Sequence, residues 1–240
     1  MPTWVSPQEA ERRLPGFFKE RGENAWKLDV PSRRMYSRSG FAQVRVQTKP
    51  DGSPYFDHVV YGEAPGVNAV TWGVTEDGIY KVAVVVQARP FADTPDGQPA
   101  DPPIIFGQPA VMGSLKRVVG EEETVEAFEK AEDCALREAV EEAGVGAIKA
   151  ITLLGYHNPN PASCATWSEL LDIEVDLTKV SEHTDKEELI FRAEYLPVRE
   201  ILRRIGVGEH EGVNYRSATA NSAFLVWLCR HPEALENKRS

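Results

Sequence analysis

The chain has 240 residues, 42% hydrophobic and 27% charged, the make-up of an ordinary soluble globular protein. Asp plus Glu number 37 against 27 Lys plus Arg, giving a formal net charge of -10. That balance argues against a nucleic-acid binder held by a basic surface, because phosphate contacts need clustered cations. A nucleotide-sized substrate stays open, since a bound metal supplies positive charge locally. No apolar run reaches the roughly 18–20 residues of a membrane span, so no membrane partner is expected. The N-terminus, MPTWVSPQEAERRLPG, has no signal-peptide core. Cys134, Cys164 and Cys229 form no CxxC pair, which suggests reduced thiols in a cytoplasmic protein.

In chain order, SPQEAERRL reads as a short helix capped by Ser6. FAQVRVQT (41–48) alternates, KPDGSP is a turn cluster, and FDHVVYG follows, so a hairpin is expected. Residues 67–91 hold two Val-rich runs flanking Glu76-Asp77-Gly78, a second hairpin. A Pro/Asp/Gly-rich loop opens residues 92–105. TVEAFEKAEDCALREAVEEA (124–143) reads as a helix with Thr124 as N-cap and Gly144 as its stop. Strands are expected at 147–157 and 169–177, then an acidic loop, SEHTDKEE, and a segment LIFRAEYLP. VREILRRIG and SATANSAFLVWLCRH close the chain as helices. The order points to one α+β domain over residues 61–235 behind an N-terminal extension over 1–60.

The chemistry concentrates in Arg137-Glu138-Ala139-Val140-Glu141-Glu142-Ala143-Gly144-Val145. Glu138, Glu141 and Glu142 stand at i, i+3 and i+4 and share one helical face. Carboxylates so placed repel one another unless a cation sits among them, and hard oxygen ligands suit Mg²⁺ or Mn²⁺. Phe128, Leu136, Ala139, Val140 and Ala143 are expected on the opposite, packing face. Cys134, Ala131 and Ala127 precede the acids on their own stripe and leave room for a ligand. Three glutamates alone would read as a solvated surface, the ordinary place for Glu. The five histidines show no metal-ligand spacing, and no GxxxxGK[ST] loop is present.

REAVEEAGV resembles the second half of the Nudix box, Arg-Glu-hydrophobic-x-Glu-Glu-x-Gly-hydrophobic. The resemblance implies an α/β/α sandwich with a mixed sheet, here with an N-terminal β extension. The first half departs from the box. Counting back from Arg137 puts Glu129 at the box's Glu, but Glu123 where Gly belongs. Gly113, after Pro-Ala, looks like the family's upstream glycine, with about ten residues inserted behind it. Two arrangements follow. Either the helix begins at Thr124, Glu129 points away from Glu138 and Glu121 is the loop carboxylate, or the insertion is a separate excursion and Glu129 keeps its family place.

Other features resemble the ADP-ribose and nucleotide-sugar pyrophosphatase branch. Gln87-Ala88-Arg89 ends a strand, Pro161 follows Val145 at the spacing of that branch, and Glu169 starts the next strand. The resemblance implies Mg²⁺-assisted hydrolysis of a phosphoanhydride, with metal on Glu138, Glu141 and Glu142, joined by Glu121 or Glu129. Glu187 or Glu188, in the acidic loop with Asp185, would be the general base, and Arg137 would order the site. Arg89, Gly113, Pro161 and Glu169 would meet a nucleoside diphosphate sugar. Trp72, Phe91, Tyr156 or Trp167 could stack on its base, although core packing is the commoner fate of an aromatic. A homodimer is expected, as in relatives with such an N-terminal segment. Rival readings are a Nudix hydrolase of dinucleotide polyphosphates or nucleoside triphosphates, and a Nudix-fold binding or regulatory protein with little turnover.

Overall fold

The alternating and Val-rich runs become strands in the computed structural model, which describes residues 34–36, 40–48, 54–63, 65–89, 100–115, 117–119, 126–158, 164, 167–182 and 189–236. The helix expected near Ser6, together with Phe91, Glu121, Pro161, Asp185, Glu187 and Glu188, lies outside these residues. The chain divides into two units, Met1–Pro65 with Asn158–Trp167, and Gly66–His157 with Ser168–Ser240.

The first unit contains a three-stranded antiparallel sheet, β1 (Arg34–Tyr36), β2 (Gly40–Thr48) and β3 (Pro54–Glu63), with β2 in the middle. The β2–β3 hairpin is the one expected from the KPDGSP turn.

The second unit is built on a mixed sheet of nine strands. Its centre is β4 (Gly66–Val74) and β5 (Tyr80–Arg89), joined by the expected turn, where Gly78 N–H donates to the Thr75 carbonyl at 2.9 Å. Then come β6 (Ile104–Gln108) and β7 (Val111–Ser114). Neither was legible as a strand, because Gly107 and Pro109 break the apolar pattern into short pieces. The rest of the sheet is β10 (Ile148–His157), β11 (Ser168–Val175), β12 (Ile190–Pro197), β13 (Glu209–His210) and β14 (Val213–Asn214). The order is β10-β11-β4-β5-β6-β14-β13, with β7 beside β4 and β12 beside β5. The β11–β4 and β14–β6 pairs are parallel and the others antiparallel.

Helices cover both faces. Helix α1 (Ala131–Ala143) packs Ala131, Cys134, Ala135, Ala139 and Ala143 against Val67, Ala69, Ala83, Val85, Leu171 and Ile173. Helices α2 (Val198–Val207) and α3 (Ala218–Arg230) bring Ile201, Phe224 and Trp227 to the other face, against Val70, Trp72, Val82, Val84 and Val86. Alternate residues of β4 and β5 thus enter different clusters. Strands buried on both faces read as near-continuous apolar runs. This is the α+β, α/β/α layering expected from the sequence.

Helix α1 corrects two expectations. It begins at Ala131 after an extended Lys130, not at Thr124. Residues 126–128 instead form β9 (Glu126–Phe128), paired antiparallel with β8 (Arg117–Val119). This local ribbon overrides a helical pattern that rests on propensity alone. The packing face also differs. Val140 is exposed, whereas Glu138 and Glu142 are buried beside the alanine stripe. Small side chains let the helix approach the sheet closely, so flanking carboxylates are drawn under cover.

Candidate active site

The site is assembled where α1 lies over β7. Glu138 is 6% exposed and Glu142 fully buried. Buried carboxylates require partners. Glu142 Oε2 accepts a hydrogen bond from Met112 N–H of β7 at 3.2 Å. Glu138 lies flat on the neighbouring residue, Gly113. A Cβ at Gly113 would come within 2.6 Å of the Glu138 carboxyl carbon and closer still to its oxygen. Gly113 was expected to meet substrate. What the structure gives it is room for Glu138 to approach the strand.

Arg137 gathers the other carboxylates. Its Nη2 lies 3.1 Å from Glu129 Oε1, and its Nη1 lies 2.5 Å from Glu138 Oε1 and 3.3 Å from Glu141 Oε2. The contact with Glu129 selects between the two arrangements left open by the sequence. The insertion closes on itself as the β8–β9 ribbon, and Glu129 arrives two residues before the helix, beside Arg137. Burial disfavours the guanidinium charge, but Glu138 and Glu129 outweigh it, so the net shift of Arg137 is upward. Cys134, one turn before Glu138, donates to the Ser114 carbonyl at 3.6 Å. Burial first, and Glu138 second, push this thiol up to about 12, so it stays an inert thiol near neutral pH.

The far end of α1 is held by residues that the sequence did not single out. Gly144, in the left-handed conformation, stops the helix, and its carbonyl accepts from Ser181 N–H at 2.8 Å. Tyr195 of β12 donates its hydroxyl to the Ala143 carbonyl at 3.3 Å. Tyr195 had no sequence signal, because only the sheet order brings β12 beneath the helix end.

Glu169 is half-buried and stands in register with Val67, which stands in register with Gly113. Val67 belongs to the cluster under α1, so Glu169 points to the α1 side as well. Arg89 stands at the end of β5. Its Nη2 donates to Gln108 Oε1 at 3.0 Å, the oxygen that also accepts from Gln87, and Gln108 Nε2 donates to Ser217 Oγ at 3.2 Å. The Gln-Ala-Arg segment thereby braces β5 and β6 against the start of α3. Trp72 is a core residue that donates to Asp172, while Tyr156 and Trp167 are exposed. His231, at the end of α3, contacts Asp172 at 2.7 Å and Glu233 at 3.2 Å.

Glu138, Glu141 and Glu142 lie within two turns of α1 and differ in exposure. Glu142 turns to β7, and Glu141 is half-buried beside Arg137. Among the described residues, no three His, Cys, Asp or Glu side chains are grouped so as to hold an ion. Glu138 and Glu141 do, however, share one cationic nitrogen of Arg137, so they already accommodate positive charge between them. Their hard oxygens fit Mg²⁺ or Mn²⁺ by donor chemistry.

Residues 122–214 match the model of the NUDIX domain. The match takes in α1, β10 to β14 and α2. Strands β4 to β7, with Gly113, precede it, yet the structure joins them to the same sheet. No curated protein matches the chain.

Proposed function

We propose, from the match of residues 122–214 to the NUDIX domain, that the protein is a metal-dependent hydrolase that cleaves the pyrophosphate of ADP-ribose or a related nucleoside diphosphate sugar. The domain supports a pyrophosphate hydrolase acting on a nucleotide-type substrate in general. The observation carrying the reading is the order imposed on the acids: Glu138 seated on Gly113 and tied through Arg137 to Glu129 and Glu141. Fixed carboxylates of this kind belong to preorganised electrostatic sites.

Glu138, Glu141 and Glu142, joined by Glu129, would hold Mg²⁺ or Mn²⁺. When bound, such an ion supplies charge to the pyrophosphate and lowers the pKa of a water. Arg137 orients Glu138 and Glu141 through hydrogen bonds and is tethered by Glu129. Glu187 or Glu188 takes the water's proton. Arg89 meets a substrate phosphate. Pro161 would meet the substrate, and Glu169 would accept from its hydroxyls. Water adds to one phosphorus as the bridging P–O bond breaks, and two phosphomonoesters leave.

The test is phosphatase-coupled product release from ADP-ribose and a panel of nucleoside diphosphates, with and without Mg²⁺. Glu142→Gln is the control variant, because its amide oxygen can still accept from Met112 N–H. Metal-dependent turnover that falls more than about 100-fold in this variant, beyond the usual cost of an outer-shell partner, is expected. A folded wild-type protein that turns over none of the panel would overturn the reading in favour of a binding protein.

A further inference from the structure

Strand β10 carries an irregularity that changes which way its last residues face. Leu153 pairs with Leu171, but Gly155 pairs with Leu170, so Leu154 is an extra residue. Ile151 packs in the α1-side cluster and Leu154 in the opposite one. Strict alternation from Ile151 and Leu153 would send Tyr156 to the α2/α3 side. The bulge resets the phase, and Tyr156 pairs with Glu169 on the α1 side. Gly155 has φ of 150°, a conformation available essentially to glycine alone. Bulges of this kind re-aim side chains and gather beside active sites.

The register then continues across the sheet. Tyr156, Glu169, Val67 and Gly113 form one row over β10, β11, β4 and β7. Three strand spacings separate its ends, about 14 Å, the span of an extended nucleoside diphosphate. At one end Gly113 carries Glu138. At the other, Tyr156 is 62% exposed. Its ring has not been drawn into the core, unlike Trp72, which packs against Tyr80 and Trp227.

We infer that Tyr156 is the platform on which the nucleobase of the substrate stacks, with the ribose over Glu169 and the phosphates toward Glu138. The inference rests on the hydrolase reading for the phosphate end. The base end is tested separately, by binding. A π-face platform accepts any base, so selectivity among bases is low and the aromatic ring is what counts.

The experiment is calorimetric titration of the full chain with AMP and with ribose 5-phosphate, for wild type, Tyr156→Ala and Tyr156→Phe. Wild type is expected to bind AMP more tightly than ribose 5-phosphate. Tyr156→Ala should weaken AMP binding about 10-fold or more, the usual loss for one base–aromatic stack, and leave ribose 5-phosphate unchanged. Tyr156→Phe should keep AMP affinity. Equal AMP affinity in Tyr156→Ala and wild type overturns the platform, as does a wild type that binds no AMP. Turnover of the nucleoside diphosphate panel is read on the same preparations. Turnover with AMP affinity indifferent to Tyr156 removes the platform alone. Tyr156-dependent AMP binding without turnover removes the hydrolase reading alone.

Discussion

Gly113 and Glu138 touch so closely that the sequence tolerates no side chain at position 113 without a shift. Overpacking a tight contact typically costs about 1–3 kcal/mol. Gly113→Ala is therefore expected to destabilise the protein by that amount in denaturant titration and, on the proposed reading of Glu138 as a metal ligand, to lower Mg²⁺ affinity by displacing it. Unchanged stability would show that Glu138 can swing away without loss. The resemblance that singled out Gly113 gave it a substrate contact. Its packing role needed the partner strand and the helix in place. Arg137 was legible as an organiser of carboxylates because it is adjacent in sequence to Glu138 and one turn from Glu141. Its third partner, Glu129, lay between two readings until the chain before it was seen to pair as strands.

Helix α2 shows how far a single element can be read. Its Glu200 was not singled out, yet i+3 and i+4 spacing puts Arg203 and Arg204 within reach on one face. Arg203 makes two hydrogen bonds of 2.7 Å to the carboxylate, and Arg204 makes a third of 2.7 Å. Hydrogen bonds first from Arg203, then from Arg204, hold Glu200 at about 2, below its ordinary 4.5. A depressed carboxylate stabilises the fold above its unfolded pKa, and that contribution is lost as pH falls toward the folded value. The difference in thermal midpoint between wild type and Glu200→Gln should thus be present at pH 7 and vanish on acidification from about pH 4.5 to about 2. A difference that survives at pH 2 would assign the effect to something other than this charge. Arg204 also donates to Tyr215 at 2.6 Å, and that pairing crosses from α2 to the end of β14, which no local spacing foretells.

At the scale of the molecule, two apolar layers flank one sheet. Trp227 is fully buried in the layer away from α1, close to Trp72, Phe224 and His231. Replacing a buried aromatic by Ala costs about 3–5 kcal/mol. Trp227→Ala should lower the unfolding free energy by that much. It should leave the metal dependence of any remaining folded fraction unchanged, because α1 packs on the other face. A shift in Mg²⁺ affinity would mean that the two layers are coupled through the sheet. The sheet also explains why the domain match begins at residue 122 while the folded unit begins at Gly66. Strands β4 and β5 carry ordinary Val- and Ala-rich sequence, and β4 to β7 join the matched part through strand pairing with β11, β12 and β14 and through the packing of α1.

The sequence by itself determined the two central hairpins, the strands after α1, the closing helices, the end of α1 at Gly144 and the identity of the acidic segment. Each of these rests on a local period, a turn signal or a short fixed spacing, which neighbours along the chain can enforce. Tertiary structure alone decided where α1 begins, that Glu129 is the carboxylate beside Arg137, that Glu138 and Glu142 are buried, and that Tyr156 shares a row with Gly113. These depend on strand register, a one-residue bulge and the close approach of helix to sheet. Residues far apart in sequence set all three, so no spacing along the chain encodes them.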